Sequence, residues 1–426
     1  MLVYERADVL HFEYFAVFVF NVMQHPLSGY RVIDTTAMVS GPVATQQLAD
    51  QGADVIKVER PGVGDFTRLA ANRQNNMSAS YLNNNRNKRS IALDLKQPGG
   101  MAAMRHLVLG ADVFIQNFRP GVAERMGLGY ETLRADNPDL IYVSISGFGD
   151  EGPYAARPVY DPLIQALSGL ASIQGGADDA RPRLVRTIVP DKLTGYMAAQ
   201  AITAALLARE RGAGGQHVRL SMLDAVIDFL WHSDMNSQTF VGHEMAQAKA
   251  ASFIDLIYET TTGHISVAVQ NDAEWHALTE ALERPGWRDD PRFATAAARQ
   301  DNVDARLRLT QERLAEASAE HWLERLEAHG VPCAPVLTRS QLTDHPQIQA
   351  NGIIVETDHP VAGRLRQARP AARFSAMAEP PFRDAPRLGA DTREVLAEAG
   401  YSPGEIARLV AEAAAVQLHA ADEATT

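Results

Sequence analysis

The chain has 426 residues, 46% of them hydrophobic, which is enough apolar material for a large buried core spread over two or three domains. Its 52 acidic and 40 basic residues give a formal charge of -12, which excludes bulk association with nucleic acid or anionic lipid and requires any anionic ligand to meet a local basic pocket. The single cysteine, Cys333 in "GVPCAPV", excludes an intramolecular disulfide framework, suits a cytoplasmic location, and is expected to pack in a buried position.

At the start of the chain, the longest apolar run, "YFAVFVFNVM" from Tyr14 to Met23, falls well short of the roughly 20 residues of a membrane helix. The flanking text lacks the basic start and small-residue cleavage site of a signal peptide. Residues 1–28 are therefore expected to be an N-terminal extension, with 1–22 outside the functional fold. Short β-rich runs follow: "YRVID" (30–34), "ADVIKVE" (53–59), "SIALDLK" (90–96), "ADVFIQNF" (111–118) and "LIYVSISGFG" (140–149). Helical segments alternate with them, which predicts βαβ units and a mainly parallel sheet. The first crossover begins near Pro42 and stops at Gly52.

Asp191 opens a long Ala-rich helical stretch that glycines 212, 214 and 215 end; "HVRLSML" then reads as a strand and "LDAVIDFLWHS" as an apolar helix. From about residue 252 the pattern changes to a hairpin turning at Gly263, followed by two amphipathic helical patterns, the second over 306–330. A Pro-rich segment, 331–386, and a final helix lead back to the first domain. The expected division is a large domain over 29–225, a linker over 226–250, a small α+β domain over 251–335, and a linker with C-terminal return to the large domain over 336–426.

Several chemistries fail on reading. There is no G-x-x-x-x-G-K-[ST] phosphate loop, "GVGDFT" (62–67) lacks the last glycine of a dinucleotide fingerprint, and "SISGFG" lacks the first glycine of a nucleophile elbow. In "HEMAQ" (243–247), Gln247 stands where a zinc site needs its second histidine, and the 13 histidines show no ligand spacing, so no metal is expected. A carboxylate remains. By its place after a proline and before a helix, Asp191 reads either as an N-cap or as a nucleophile.

Five blocks resemble the class III CoA-transferases, the family of formyl-CoA and carnitine CoA-transferases: "GPVATQQLADQGADVIKVERPGVGDFTR", "NRNKRSIALDLKQPGG", "ADVFIQNFRPGVAERMGLGYETL", "YVSISGFGDEGPYAARPVYDPLIQALSGLASIQG" and "VPDKLTGYMAAQAITAALLARERGAGGQHVRLSML". The likeness runs from about residue 27 to 400. It implies an α/β fold whose Rossmann-like parallel-sheet large domain is built from both chain ends, with a smaller α+β domain, in an interlocked homodimer. It also implies transfer of CoA from an acyl-CoA donor to a carboxylic acid through an aspartyl anhydride and an aspartyl-CoA thioester at Asp191. CoA enters as substrate, and no tightly bound cofactor or membrane partner is implied.

The same resemblance assigns CoA contacts to Val39, Arg60, Leu93, Lys96, Asn117, Phe118, Arg119, Arg125 and Tyr160. Val39 stands where formyl-CoA transferases have glutamine, and "HEMAQAKAASFIDL" (243–256) stands where they carry a polyglycine loop, so formate and oxalate are not expected substrates. An α-methylacyl-CoA racemase of the same fold is the alternative, but Tyr160 occupies its histidine slot, and a phenol of pKa about 10 is a weak base at neutral pH. A non-catalytic CoA-binding protein is a second alternative, which would have no need of Asp191.

Overall fold

A computed structural model describes residues 25–176, 180–245, 256–375 and 382–417. The expected N-terminal extension over 1–22 lies outside the described residues, as does most of the segment expected to replace a polyglycine loop. Two compact units are present. The larger takes the chain up to Ser168, Val185–Leu230 and the part from Ile353 on; the smaller joins Gly169–Leu184 to Trp231–Gly352.

The larger unit is built on six parallel strands: β1 (Arg31–Asp34), β2 (Asp54–Glu59), β3 (Lys88–Leu93), β4 (Val113–Gln116), β5 (Ile141–Ser146) and β6 (Gln216–Ser221). Their order across the sheet is β3-β2-β1-β4-β5-β6, that of a doubly wound nucleotide-binding sheet, with the reversal of winding between β1 and β4. Alternate residues of each strand serve opposite faces. On one face Val32, Val55, Val113 and Val143 pack with α1 (Ser40–Asp50) and α4 (Val189–Ala208), through Ala44, Leu48, Ala198 and Ile202. On the other, Ile33, Ile56, Phe114 and Tyr142 pack with α2 (Pro98–Leu109). A short helix, α3 (Asp161–Leu167), precedes α4 on the path from β5 to β6. A strand buried on both faces needs an apolar run, which is what made β1, β2, β4 and β5 readable; β6 is a half-buried edge strand, and β3 departs, starting at Lys88 rather than 90, because two basic residues are buried in it.

In the smaller unit, β7 (Ile257–Glu259) and β8 (His264–Val267) form the hairpin around Gly263, and β9 (Cys333–Pro335) adds a third antiparallel strand. Helices α5 (Asp272–Ala281), α6 (Val303–Leu314) and α7 (Ala319–Ala328) close a core around Trp275, Trp322 and Phe293. The single amphipathic pattern expected over 306–330 is two helices: Ser318 caps the second by accepting the His321 N–H at 3.2 Å, and Trp322 Nε1 seals the first by donating to the Leu314 carbonyl at 2.8 Å. Cys333 is only half-buried, at the edge of this core.

The return to the larger unit is more ordered than a Pro-rich linker. It contains an antiparallel hairpin, β10 (Ile354–His359) with β11 (Gly363–Ala368). Then come α8 (Thr392–Glu398), α9 (Pro403–Ala411) and a short strand β12 (Ala415–Val416) that pairs antiparallel with the β3 edge. Val395, Leu396, Ile406 and Leu409 join the α2 face of the core, and Arg89 of β3 bonds both Asp54 and Glu398, so the two ends of the chain share one core. Among the described residues no helix is long and apolar enough to cross a membrane, and no group of three or more His, Cys, Asp or Glu is arranged to hold a metal.

Candidate active site

Ligands of open α/β sheets bind beyond the carboxyl ends of the strands, at the reversal of winding. Most of the residues expected to contact substrate follow one of these strand ends or start a helix. Val39 precedes α1 after β1, Arg60 follows β2, Leu93 ends β3 with Lys96 just beyond, and Asn117, Phe118 and Arg119 follow β4. Arg125 ends a short helix, Val122–Arg125, while Tyr160 and Asp191 stand at the starts of α3 and α4.

Asp191 is not an N-cap. That position is Ile188, whose side chain makes no capping bond, and Asp191 is the third residue of α4, behind Pro190, which has no N–H to satisfy. The acceptor for the Asp191 N–H comes from elsewhere: Asp161 Oδ2, at 3.4 Å. Asp161 begins α3 and is buried. Its Oδ1 accepts from Gln165 Nε2 at 2.6 Å, and Gln165 Oε1 in turn accepts the Val185 N–H at 2.9 Å, so one buried glutamine ties α3 to the segment entering α4.

The Asp191 carboxylate is half-buried. Burial pushes its pKa up to about 6, the Asp161 charge pushes in the same direction, and the backbone N–H and hydroxyl of Ser40, donating toward it from the first turn of α1, pull it back. Two helix N-termini thus face one carboxylate, an arrangement that favours negative charge. Their closeness depends on Gly195: a Cβ there would lie 2.7 Å from the Ser40 carbonyl oxygen and 2.8 Å from Val43 Cβ. The product is a carboxylate that is mostly ionised at neutral pH and poorly solvated, suited to act as a nucleophile.

The remaining predicted residues divide by burial. Arg60, Lys96, Arg119 and Arg125 are exposed, and among the described residues none is ion-paired, whereas Arg68, Arg86 and Arg89 close by are bonded to Glu59, Asp50 and Asp54. Unpaired cations at a strand-end crevice suit a phosphate-bearing ligand. Phe118 and Arg119 also line a cavity of about 810 Å³ with Tyr142, Ser144, His217 and Arg219. Asn117 is committed to the protein: its side chain accepts the Ala37 N–H at 3.0 Å and donates to the Ala37 carbonyl at 2.8 Å, bridging β1 and β4 across the crevice. Leu93 is 1% exposed in the core and offers a ligand only its backbone, while Tyr160 is 70% exposed. The residues missed from sequence are Ser40, Asp161 and Gln165; Asp161 sits beside Tyr160 in "VYDP", but only the fold brings it to Asp191.

Comparison with known proteins identifies the family and the fold. The model for CoA-transferase family III matches residues 27–392. The succinate--glutarate CoA-transferase of Agrobacterium fabrum is 37% identical over 383 residues, covering 88% of this chain and 95% of that protein. The formyl-CoA:oxalate CoA-transferase of Escherichia coli is 33% identical over 412 residues, covering 91% and 99%. Among solved structures, a CAIB/BAIF family protein from Brucella suis superposes with a TM-score of 0.78 at 32% identity, covering 88% of this chain and 100% of that one.

Proposed function

The chain belongs to CoA-transferase family III, and from that premise we propose that it moves CoA from an acyl-CoA to a free carboxylic acid through covalent intermediates on Asp191. The observation that carries this reading is the state of Asp191: a carboxylate half-buried at two helix N-termini, with its pKa raised to about 6.

The steps balance without an external reactant. The Asp191 carboxylate attacks the donor thioester carbonyl and expels CoA thiolate, leaving an acyl-aspartyl anhydride. The thiolate attacks the Asp191 carbonyl, freeing the donor acid and forming an aspartyl-CoA thioester. The acceptor carboxylate then attacks that thioester, and the released thiolate takes the acceptor's acyl carbon, which regenerates Asp191 and yields the new acyl-CoA. One thioester replaces another, consistent with a chain that has no ATP-binding loop. The N-termini of α1 and α4 supply fixed N–H dipoles where negative charge develops. Arg60, Lys96, Arg119 and Arg125 take the phosphates of CoA, with Phe118 and the Val39 turn beside them, and Tyr160 faces the acyl end.

The named relatives act on glutarate, succinate or oxalate, all short dicarboxylic acids, and we assign the acceptor here to that class. Chains of succinate or glutarate length stand ahead of oxalate, because Val39 replaces the glutamine of the formyl-CoA enzymes. An interlocked homodimer completes the reading. It is supported by exposed apolar side chains on the larger unit, Tyr196, Leu207 and Phe229 at 57, 51 and 48%. A 46.4 kDa particle in light scattering at micromolar concentration would count against it.

The direct experiment is trapping. Incubation with succinyl-CoA and then hydroxylamine is expected to leave a hydroxamate on the peptide containing Asp191, found by mass spectrometry and absent from Asp191→Ala. Full turnover by Asp191→Ala would refute the mechanism.

A further inference from the structure

Below the first turn of α1 lies a group of charges for which the transfer steps have no use. Asp34, Lys57 and Lys88 are each 0% exposed and Asp65 is 3% exposed. Burying four ionisable groups is costly unless every charge is paired and hydrogen-bonded, so their bonds indicate what the expense secures.

Those bonds converge on one stretch of backbone, from Thr36 to Pro42. Lys57 Nζ donates to the Thr36 carbonyl at 2.7 Å and pairs with Asp65 Oδ2 at 3.0 Å. Asp34 accepts the Thr36 N–H at 2.9 Å and the Thr45 hydroxyl at 2.7 Å. Lys88 Nζ donates to the Pro42 carbonyl at 3.0 Å, to Asn85 Oδ1 at 2.9 Å and to Asp34 Oδ2 at 3.2 Å. Asp65 Oδ1 accepts the Met38 N–H at 3.2 Å, and Asn117 holds both polar groups of Ala37. Glu59, a further buried acid beside the group, is bonded to Arg68 and to the Asp65 N–H, and Arg68 also meets Tyr81.

Within this stretch Met38 has φ +71°, a left-handed conformation that a side chain other than glycine adopts only under constraint. Two residues later comes Ser40, which faces Asp191. We propose that the buried array is a positioning device in which Asp65, by holding Met38 left-handed, aims the N–H and hydroxyl of Ser40 at Asp191. Asp65 acts through Met38 and Ser40; it touches no substrate. Lys57 and Asp34 keep Asp65 in place from below, and Lys88 fixes the first turn of α1 at Pro42. The inference rests on Asp191 as the working carboxylate.

The test reads Asp191 directly, in the full chain and without substrate, by titrating its side-chain carboxyl with 13C NMR and assigning the signal by its loss in Asp191→Asn. The groups facing that carboxyl are Asp161 from α3 and Ser40 from α1, and both stay unmutated. Asp65→Ala is expected to raise the midpoint by about one pH unit, as loss of donors to the charged form does. Adding Met38→Gly, which makes the left-handed conformation free of strain, is expected to bring at least half of that rise back. Should Asp65→Ala fail to fold, Met38→Val tests the same link with Asp65 intact: Met38 is 42% exposed, so the change leaves the core alone, and a β-branched residue resists φ +71°. It is expected to raise the midpoint too. A folded Asp65→Ala or Met38→Val with an unmoved midpoint, or a rise that Met38→Gly does not reverse, overturns the proposal. If no acyl-CoA and acid pair gives turnover while the midpoint still moves, the transferase reading fails and the positioning role stands.

Discussion

Replacing Asp191 by asparagine is expected to abolish transfer and at the same time stabilise the protein. Its carboxyl has an ordinary pKa of 3.8 that the fold pushes up to about 6. An acid whose folded-state pKa is raised binds protons more tightly when folded, so its ionisation opposes folding at every pH above the unfolded value. The difference is worth about 3 kcal/mol at pH 7, at about 1.4 kcal/mol per pH unit. Asparagine keeps an oxygen to accept from Ser40 and gains an N–H₂ that no longer repels Asp161. If Asp191 were only a favourable acid in the first turn of a helix, its loss would instead cost about 0.3–1 kcal/mol. The two readings differ in sign. Urea unfolding at fixed protein concentration, followed by far-UV CD, measures the gap between wild type and Asp191→Asn. The gap is expected to be nearly full above about pH 6, to shrink as pH falls from there, and to close only below the unfolded value of 3.8, where the wild-type carboxyl is protonated in both states. An Asp191→Asn variant less stable than wild type at pH 7.5, or a gap that does not narrow in acid, would refute the account of this site.

The pH–rate profile of CoA transfer is expected to fall as pH drops through about 6, because only the ionised Asp191 attacks, and Asp161→Asn should move that limb to lower pH by removing a neighbouring negative charge. Gly195→Ala introduces a Cβ 2.7 Å from the Ser40 carbonyl oxygen, so α4 must draw away from α1; a loss of about 1–3 kcal/mol in urea unfolding is expected, with kcat falling more than KM rises. Lys88→Met leaves Asp34 with Lys57 at 4.0 Å as its nearest cation, and breaking a buried pair in this way is expected to cost about 3–5 kcal/mol by the same assay.

How much of this was readable depended on the range over which each residue is satisfied. Strands β1, β2, β4 and β5 are buried on both faces by α1, α2 and α4, so each carries a local apolar run that the sequence displays; the observed starts of β1 and β2 lie within one residue of those read. The apolar span over 140–149 ends as strand at Ser146, since Gly149 needs φ +98° and a Cβ on Gly147 would lie 2.3 Å from Val159 Cγ1. Lys57 and Lys88, by contrast, look like solvated residues in "VIKVE" and "NRNKRS". Their partners Asp34, Asp65 and Pro42 lie in other elements, and only the assembled sheet shows that both lysines are fully buried.

The same limit applied to the site itself. Asp191 after a proline looks locally like a cap, and spacing alone left that reading open. The fold removes it by giving the capping task to Asp161, which lies 30 residues earlier in the chain and receives the Asp191 N–H. A carboxylate that had to cap its own helix would be held by those N–H groups and would be a poor nucleophile, since hydrogen bonds that favour the charged form also lower its basicity. With the cap supplied from α3, the side chain of Asp191 is left turned toward Ser40, with its pKa raised rather than lowered. Burial and the Asp161 charge keep it basic, and the helix termini keep it ionised at neutral pH. These opposing demands on one carboxylate explain why its environment draws on three helices rather than on a sequence motif around Asp191.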